Sequence, residues 1–380
     1  MRSSFSILAG LLLACADPCP PVPVELPQEP MVAHWAEDGY ATVAAELGGV
    51  PGLLLFDTGF PRTSLGAQSA RGLELTALTV SVAGMTAGPL PAGLITGPVE
   101  TGAVLGSDVL HQLPVVFDAR ARTTSVLPTF VSAHTGAPLR LAESGRCTEA
   151  DARRSPLFLV DGEVEGRTVT LLLDTGAEAT FVSSEIYAAL DARPTLQNVR
   201  VASAFAGIFE ASATRARHID VGEAASTGVV VLSSHEIDAE LARLSSIAGL
   251  TLSGFLGWNF LRELEVSLAP GSSALDDRRL SLTRFDSQTH WKRELIGVGI
   301  FTEPSLQPPG LRVNGFLSVS PAREAGVEAG DVILAVDGVA AAQAPSPFAA
   351  PGATVRLDLQ RGASSLALDV AVRDLLPDPP

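Results

Sequence analysis

One pattern occurs twice in this chain of 380 residues, and an internal duplication restricts the fold more than any property averaged over its length. The first copy is Leu53-Leu54-Leu55-Phe56-Asp57-Thr58-Gly59, with Thr63 six residues after the aspartate. The second is Leu171-Leu172-Leu173-Asp174-Thr175-Gly176, with Thr180 at the same offset. Each apolar run predicts a buried strand, and each Thr-Gly interrupts it where the chain must bend. An aspartate therefore stands at the end of a buried strand in both halves. A second element follows in the same order both times: Val104-Leu105-Gly106-Ser107-Asp108-Val109-Leu110, then Phe255-Leu256-Gly257-Trp258-Asn259-Phe260-Leu261. Strand-like runs come next, Pro114 to Asp118 and Leu264 to Leu268. From Asp57 to Gly106 the chain advances 49 residues and from Asp174 to Gly257 it advances 83, so the second half carries an insertion.

Asp-Thr-Gly followed by apolar-apolar-Gly resembles the aspartic proteases, and Leu172 to Ala177 is especially similar to retropepsins and their bacterial relatives. The resemblance covers roughly residues 38 to 285. It implies two pseudo-symmetric β-barrel lobes, 37–130 and 156–285 joined by a linker at 131–155, each donating one aspartate to a cleft between them. It also implies that Thr58 and Thr175 hydrogen-bond across the lobe interface, that Gly59 and Gly176 permit close backbone approach, and that the strands ending at Gly106 and Gly257 pack beneath the active loops.

Such chemistry needs two carboxylates because like charges a few ångströms apart do not both ionise easily, so the pair shares a proton. The ionised member takes a proton from a water as it attacks a peptide carbonyl, and the protonated member polarises that carbonyl. Neither cofactor nor metal is required, and titration belongs to Asp57 and Asp174 as a unit.

The first lobe departs from the pattern: Phe60-Pro61-Arg62 follows Gly59, where relatives carry a small residue such as Ala177. Neither Phe60 nor Ala177 has a hydroxyl to hydrogen-bond a carboxylate, so a weakly acidic optimum is expected. Tyr40 and Tyr187 are not placed as a pepsin-like flap tyrosine. A hairpin around Ser203 to Ile208 is the candidate flap.

The net charge of −16 argues against nucleic-acid partners, since no basic stripe is available to displace counterions from phosphates. His34, His111, His134, His218, His235 and His290 are scattered without metal-ligand spacing. The apolar stretch Phe5 to Ala14 after Met1-Arg2 has the shape of a secretory signal (1–14). Leu12-Leu13-Ala14-Cys15 resembles a bacterial lipobox, which would acylate Cys15 and anchor the protein in the cell envelope, in the periplasm or at the outer membrane. A plain signal peptide with an incidental cysteine is the alternative. Proline density from Ala16 to Pro30 suggests that 15–36 is an extended tether. An exported compartment would permit Cys19 and Cys147 to pair.

The mostly polar stretch from Phe285 to Glu294 marks a boundary. Beyond it, Gly297-Val298-Gly299-Ile300 resembles the carboxylate-binding loop of PDZ domains, and Ser320 to Val327 with Ala329 to Gly338 resembles their middle segment. A PDZ-like α+β domain over 294–376 would bind peptide C-termini or extended segments by strand addition. A structural cap on the lobes is the other reading. The expected whole is a mainly β monomer hydrolysing protein or peptide substrates at Asp57 and Asp174. The rival from a different class is a peptide-binding scaffold of the cell envelope that has lost turnover.

Overall fold

The computed structural model describes residues 22–36, 41–95, 102–129, 137–142, 156–190, 193–203, 207–269, 279–284, 296–341 and 352–376. The signal, Cys15, Cys19, Cys147 and the boundary at 285–294 lie outside them. No described helix is long and apolar enough to cross a membrane.

The protein is mainly β, as the short apolar runs and turn residues predict. In each half the leucine run forms a strand, Val50–Phe56 and Arg167–Leu173, paired antiparallel with the strand before it, Thr42–Leu47 and Leu157–Val164. Each also takes a parallel neighbour from the apolar-apolar-Gly element: Ala103–Leu105 beside the first, Gly254–Leu256 beside the second. A one-turn helix then follows each glycine, Ser107–Leu110 and Trp258–Leu261. The duplicated sequence is thus a duplicated topology, with a buried strand inserted between two others so that its C-terminal end points into the interior.

The halves meet in a shared sheet. Val115–Asp118 and Leu264–Ala269 pair antiparallel across the middle, from Val115↔Leu268 to Asp118↔Glu265. On one side follow Thr123–Val126 and Met31–His34, and on the other Arg279–Arg284 and Ala137–Ala142. The order reads alike from either end, as a pseudo-twofold axis through its centre requires.

This arrangement changes two sequence expectations. The described part of the proline-rich tether belongs to the fold: Val24–Glu25 pairs with Met85–Leu90 and Met31–His34 closes one edge of the shared sheet. Proline is tolerated at such edges, where one side of a strand needs no ladder donor. Within 131–155, expected as a linker, Ala137–Ala142 is a strand whose first two residues pair with Arg279–Arg284 and whose remaining four pair with Leu157–Val164, joining the shared sheet to the second lobe.

The insertion in the second half builds a hairpin, Leu196–Ser203 with the leading part of Gly207–Val221, and the helix His235–Ala248. Ser234 caps that helix by accepting from the Ile237 amide at 3.2 Å, and Gly249 ends it at φ 68°. Ser203 faces Gly207 across the hairpin, where the sequence placed one; residues 204–206 lie outside the described set.

One apolar cluster runs through both lobes. At its centre Phe117 packs edge-to-face on Phe56 at 6.1 Å and on Trp258 at 6.0 Å, and Trp258 packs on Trp35 at 5.3 Å. Phe117 is fully buried, so Phe117→Ala removes contacts to both lobes at once. The expected loss of unfolding free energy is about 3–5 kcal/mol, read from the urea midpoint.

Within 296–341 and 352–376 a separate small sheet forms, in the order Ile300–Leu306, Pro309–Phe316, Val332–Val336, Thr354–Arg361, Ser364–Ala371, with the helix Pro321–Glu324 beside it. It has its own core around Val298, Val313, Ile333 and Leu357. Leu317, Leu375 and Leu376, however, are buried in the core of the second lobe.

Candidate active site

The two leucine strands end at the same place. Asp57 donates its amide to the Leu105 carbonyl at 3.1 Å, and Asp174 donates its amide to that of Leu256 at 3.0 Å. Each active loop is thereby seated on the strand expected beneath it. Gly106 and Gly257 are required there: a Cβ on either would overlap backbone, that of Arg62 in the first lobe and of Ala179 in the second.

Thr58 and Thr175 interlock. The Thr58 amide donates to the Thr175 hydroxyl at 3.0 Å, and the Thr175 amide donates to the Thr58 hydroxyl at 3.1 Å. Each hydroxyl in turn donates across the interface at 2.7 Å, Thr58 to the Leu173 carbonyl and Thr175 to the Phe56 carbonyl. All four bonds are buried. Beside them, a Cβ on Gly59 would overlap the Asp174 carboxylate, and one on Gly176 the Asp57 carboxylate. The glycines are what let the acids approach.

The two carboxyls lie close together, each against the glycine of the other's loop, and each acts on the other's titration. Asp57 is 8% exposed and Asp174 somewhat more, yet protein atoms surround and desolvate both. Burial first, and then repulsion from Asp174, holds the Asp57 carboxyl well above the usual carboxylate range, against amides donated by Gly59 at 2.9 Å and Phe60 at 3.1 Å. Burial likewise lifts Asp174 to about 6, against amides from Gly176 at 3.0 Å and Ala177. Both carboxyls are displaced upward and interact, so they titrate as a unit.

Phe60 is accommodated through its backbone. Its amide reaches Asp57 and its carbonyl accepts from Ser107 at 2.8 Å, as the Ala177 carbonyl accepts from Trp258 at 2.8 Å. Loop geometry therefore tolerates a bulky residue at 60, whose side chain is half-buried.

A further pair of residues supports these loops and was visible in the sequence only as part of the repeat. The Asp108 carboxylate accepts from the Thr63 amide at 2.8 Å and hydroxyl at 2.9 Å; Asn259 accepts from Thr180 likewise, at 2.8 and 2.6 Å. The signal was the polar residue two positions after each glycine, matched by the threonine six after each aspartate. Trp258 adds a bond without a counterpart in the repeat, Nε1 to the Thr175 carbonyl at 2.5 Å.

The Gly297 to Ile300 loop stands apart from this site. Gly297 pairs with Arg373, the Val298 carbonyl accepts from the Ala322 amide at 3.0 Å, and Gly299 turns at φ 73°. Among the described residues, no group of three or more His, Cys, Asp or Glu is placed to hold a metal ion.

Residues 160–263 match the family described as gag-polyprotein putative aspartyl protease. The match takes in Asp174 and Gly257, and Asp57 lies outside it. No curated protein matches the chain. Fold and comparison together make this a β-rich protein with an aspartyl-protease-like second lobe.

Raised carboxyl values have a consequence for stability. Folded Asp57 and Asp174 hold protons more tightly than the unfolded chain, whose carboxyls titrate near 3.8. The stability this contributes is complete below that value and is lost as pH rises through about 6 and above. Between about pH 4 and pH 8 the parent's melting temperature should therefore fall more steeply than that of a D57N/D174N double variant, by scanning calorimetry. Gly176→Ala should push the Asp57 carboxyl away from its partner and reduce, without abolishing, its upward displacement, since burial remains; carbon NMR of the carboxyl groups reads the change.

Proposed function

We propose that the protein is an aspartic endopeptidase that hydrolyses peptide bonds with a water activated between Asp57 and Asp174. The observation that carries this reading is the pair of adjoining carboxyls, each against the glycine of the other's loop and held by amides of its own. One carboxylate takes a proton from the water as its oxygen attacks the scissile carbonyl carbon, and the protonated partner donates to the carbonyl oxygen. The tetrahedral species then collapses, the C–N bond breaks, and the amine leaves with a proton returned from the dyad. No covalent intermediate is formed.

The Leu196–Val221 hairpin is the flap of this reading. It shares a core with the Asp174 loop, since Val199, Val201 and Phe209 pack in the same cluster as Leu172 and Ala177, and Ile208 near its tip is 68% exposed. The 296–376 unit is read as a PDZ-like peptide-binding domain. Its terminal strand Ile300–Leu306 pairs on one side with Pro309–Phe316 and has no strand on the other among the described residues. An extended peptide adding there would use its free backbone groups. Export, with a lipid anchor at Cys15, completes the reading and suits envelope proteins as substrates.

Cleavage of an unfolded protein mixture by the mature chain tests the proposal. Asp57→Asn and Asp174→Asn should each lower kcat/KM by at least about 10³-fold with the fold intact. Because both carboxyls are displaced upward, the rate should peak at weakly acidic pH, falling at lower pH as a second proton binds and at higher pH as the shared one is lost. A peak below about pH 3 overturns the dyad as described. A folded parent without cleavage at any pH leaves the peptide-binding scaffold.

A further inference from the structure

The hairpin of the second lobe is gripped on both its strands by the C-terminal unit. On the first strand, the Gln197 amide donates to the Ser318 hydroxyl at 2.8 Å, and the Ser318 amide donates back to the Gln197 carbonyl at 3.3 Å. Three residues on, the Arg200 guanidinium lies over the Phe301 ring, 5.5 Å from its centroid. On the second strand, Arg215 is 2% exposed, and its Nε donates to the Leu376 carbonyl at 2.6 Å while Nη2 lies 3.4 Å from the Asp374 carboxylate. A buried guanidinium needs such partners, because an uncompensated charge in that position is strongly destabilising.

Between these polar contacts lies a continuous apolar cluster. Leu317, Leu375 and Leu376 of the C-terminal unit are buried with Leu196, Phe209 and Ala211 of the hairpin, and with Leu172 of the strand that delivers Asp174. Phe301 and Val319 pack on it from one side, and Ala177 and Ala179 of the active loop from another. Phe301 belongs to the strand Ile300–Leu306, which has one strand neighbour among the described residues, and its ring brings that strand into contact with the hairpin.

From this geometry we infer that the C-terminal unit positions the hairpin over the dyad, with Ser318 and Phe301 as positioning residues acting through Gln197 and Arg200. The inference rests on the protease reading for its effect on turnover and on the contacts alone for its effect on the hairpin. Packed cores transmit displacement because they have little free volume. A peptide drawing on Ile300–Leu306 therefore shifts the support of the hairpin, and the unit reports occupancy of its edge to the cleft.

The test uses the full mature chain with Ser318→Ala, Arg200→Ala and the double variant. Arg200 is exposed, and neither substitution touches the dyad. Amide hydrogen exchange is read peptide by peptide. The expected result is exchange about tenfold faster in the hairpin strands, with Leu157–Leu173 unchanged. In proteolysis, KM should rise about tenfold while kcat stays within twofold and the pH profile does not move. Hairpin exchange equal to the parent's, or acceleration spread evenly over the second lobe, overturns the inference. Should the parent show no proteolysis, the protease reading fails and the exchange result still decides this one.

Discussion

Two carboxyl groups brought together within a protein interior repel one another and lose their water, and the loops and the core beneath must hold them there. The four threonine bonds are the immediate restraint. A buried hydrogen bond contributes about 1 kcal/mol net, so four of them are of the same order as the several kcal/mol that desolvating one ion costs. They fix register more than they supply the energy. The energy comes from below, where Phe56, Phe117, Trp258 and Trp35 pack as one cluster across the lobe boundary and where each aspartate amide is tied to the strand beneath. The acids can be close because the platform under them is continuous.

The platform is symmetric, but what surrounds it is not. Both lobes repeat the inserted strand, the one-turn helix and the threonine anchored by Asp108 or Asn259. The second lobe alone, among the described residues, adds the paired strands Leu196–Ser203 and Gly207–Val221 with the helix after them. Among the described residues, the C-terminal unit packs with that same addition, and none of its residues belongs to the cluster that runs through both lobes. Arg215 ties the last described residues into the second lobe.

Much of the site was legible because the residues that build it are close in sequence to the pattern they obey. Asp57 and Asp174 stand where apolar runs break, and Gly106 and Gly257 recur after similar strands, so local spacing was enough to name them. The role of Phe60 was not legible. The loop engages this residue through its amide and carbonyl, which every residue possesses, so its side chain is not what seats it. Proline density suggested a free tether, yet Val24–Glu25 and Met31–His34 close sheet edges, because an extended segment that cannot pair on both sides can still pair on one.

By itself the sequence determined the mainly β class, the duplication, the identity of the two acids and the place of the hairpin, all consequences of periodicity and of residue types that bend or bury the chain. Tertiary structure alone decided that the Thr58 and Thr175 hydroxyls reach the Leu173 and Phe56 carbonyls, that Phe117 joins the lobes, that residues near 140 form a strand and that Ser318 meets Gln197. These partners are separated by tens to more than a hundred residues, and no local preference encodes which distant surface a side chain will meet. Packing selects it, through the requirement that buried polar groups find partners and apolar faces close without voids.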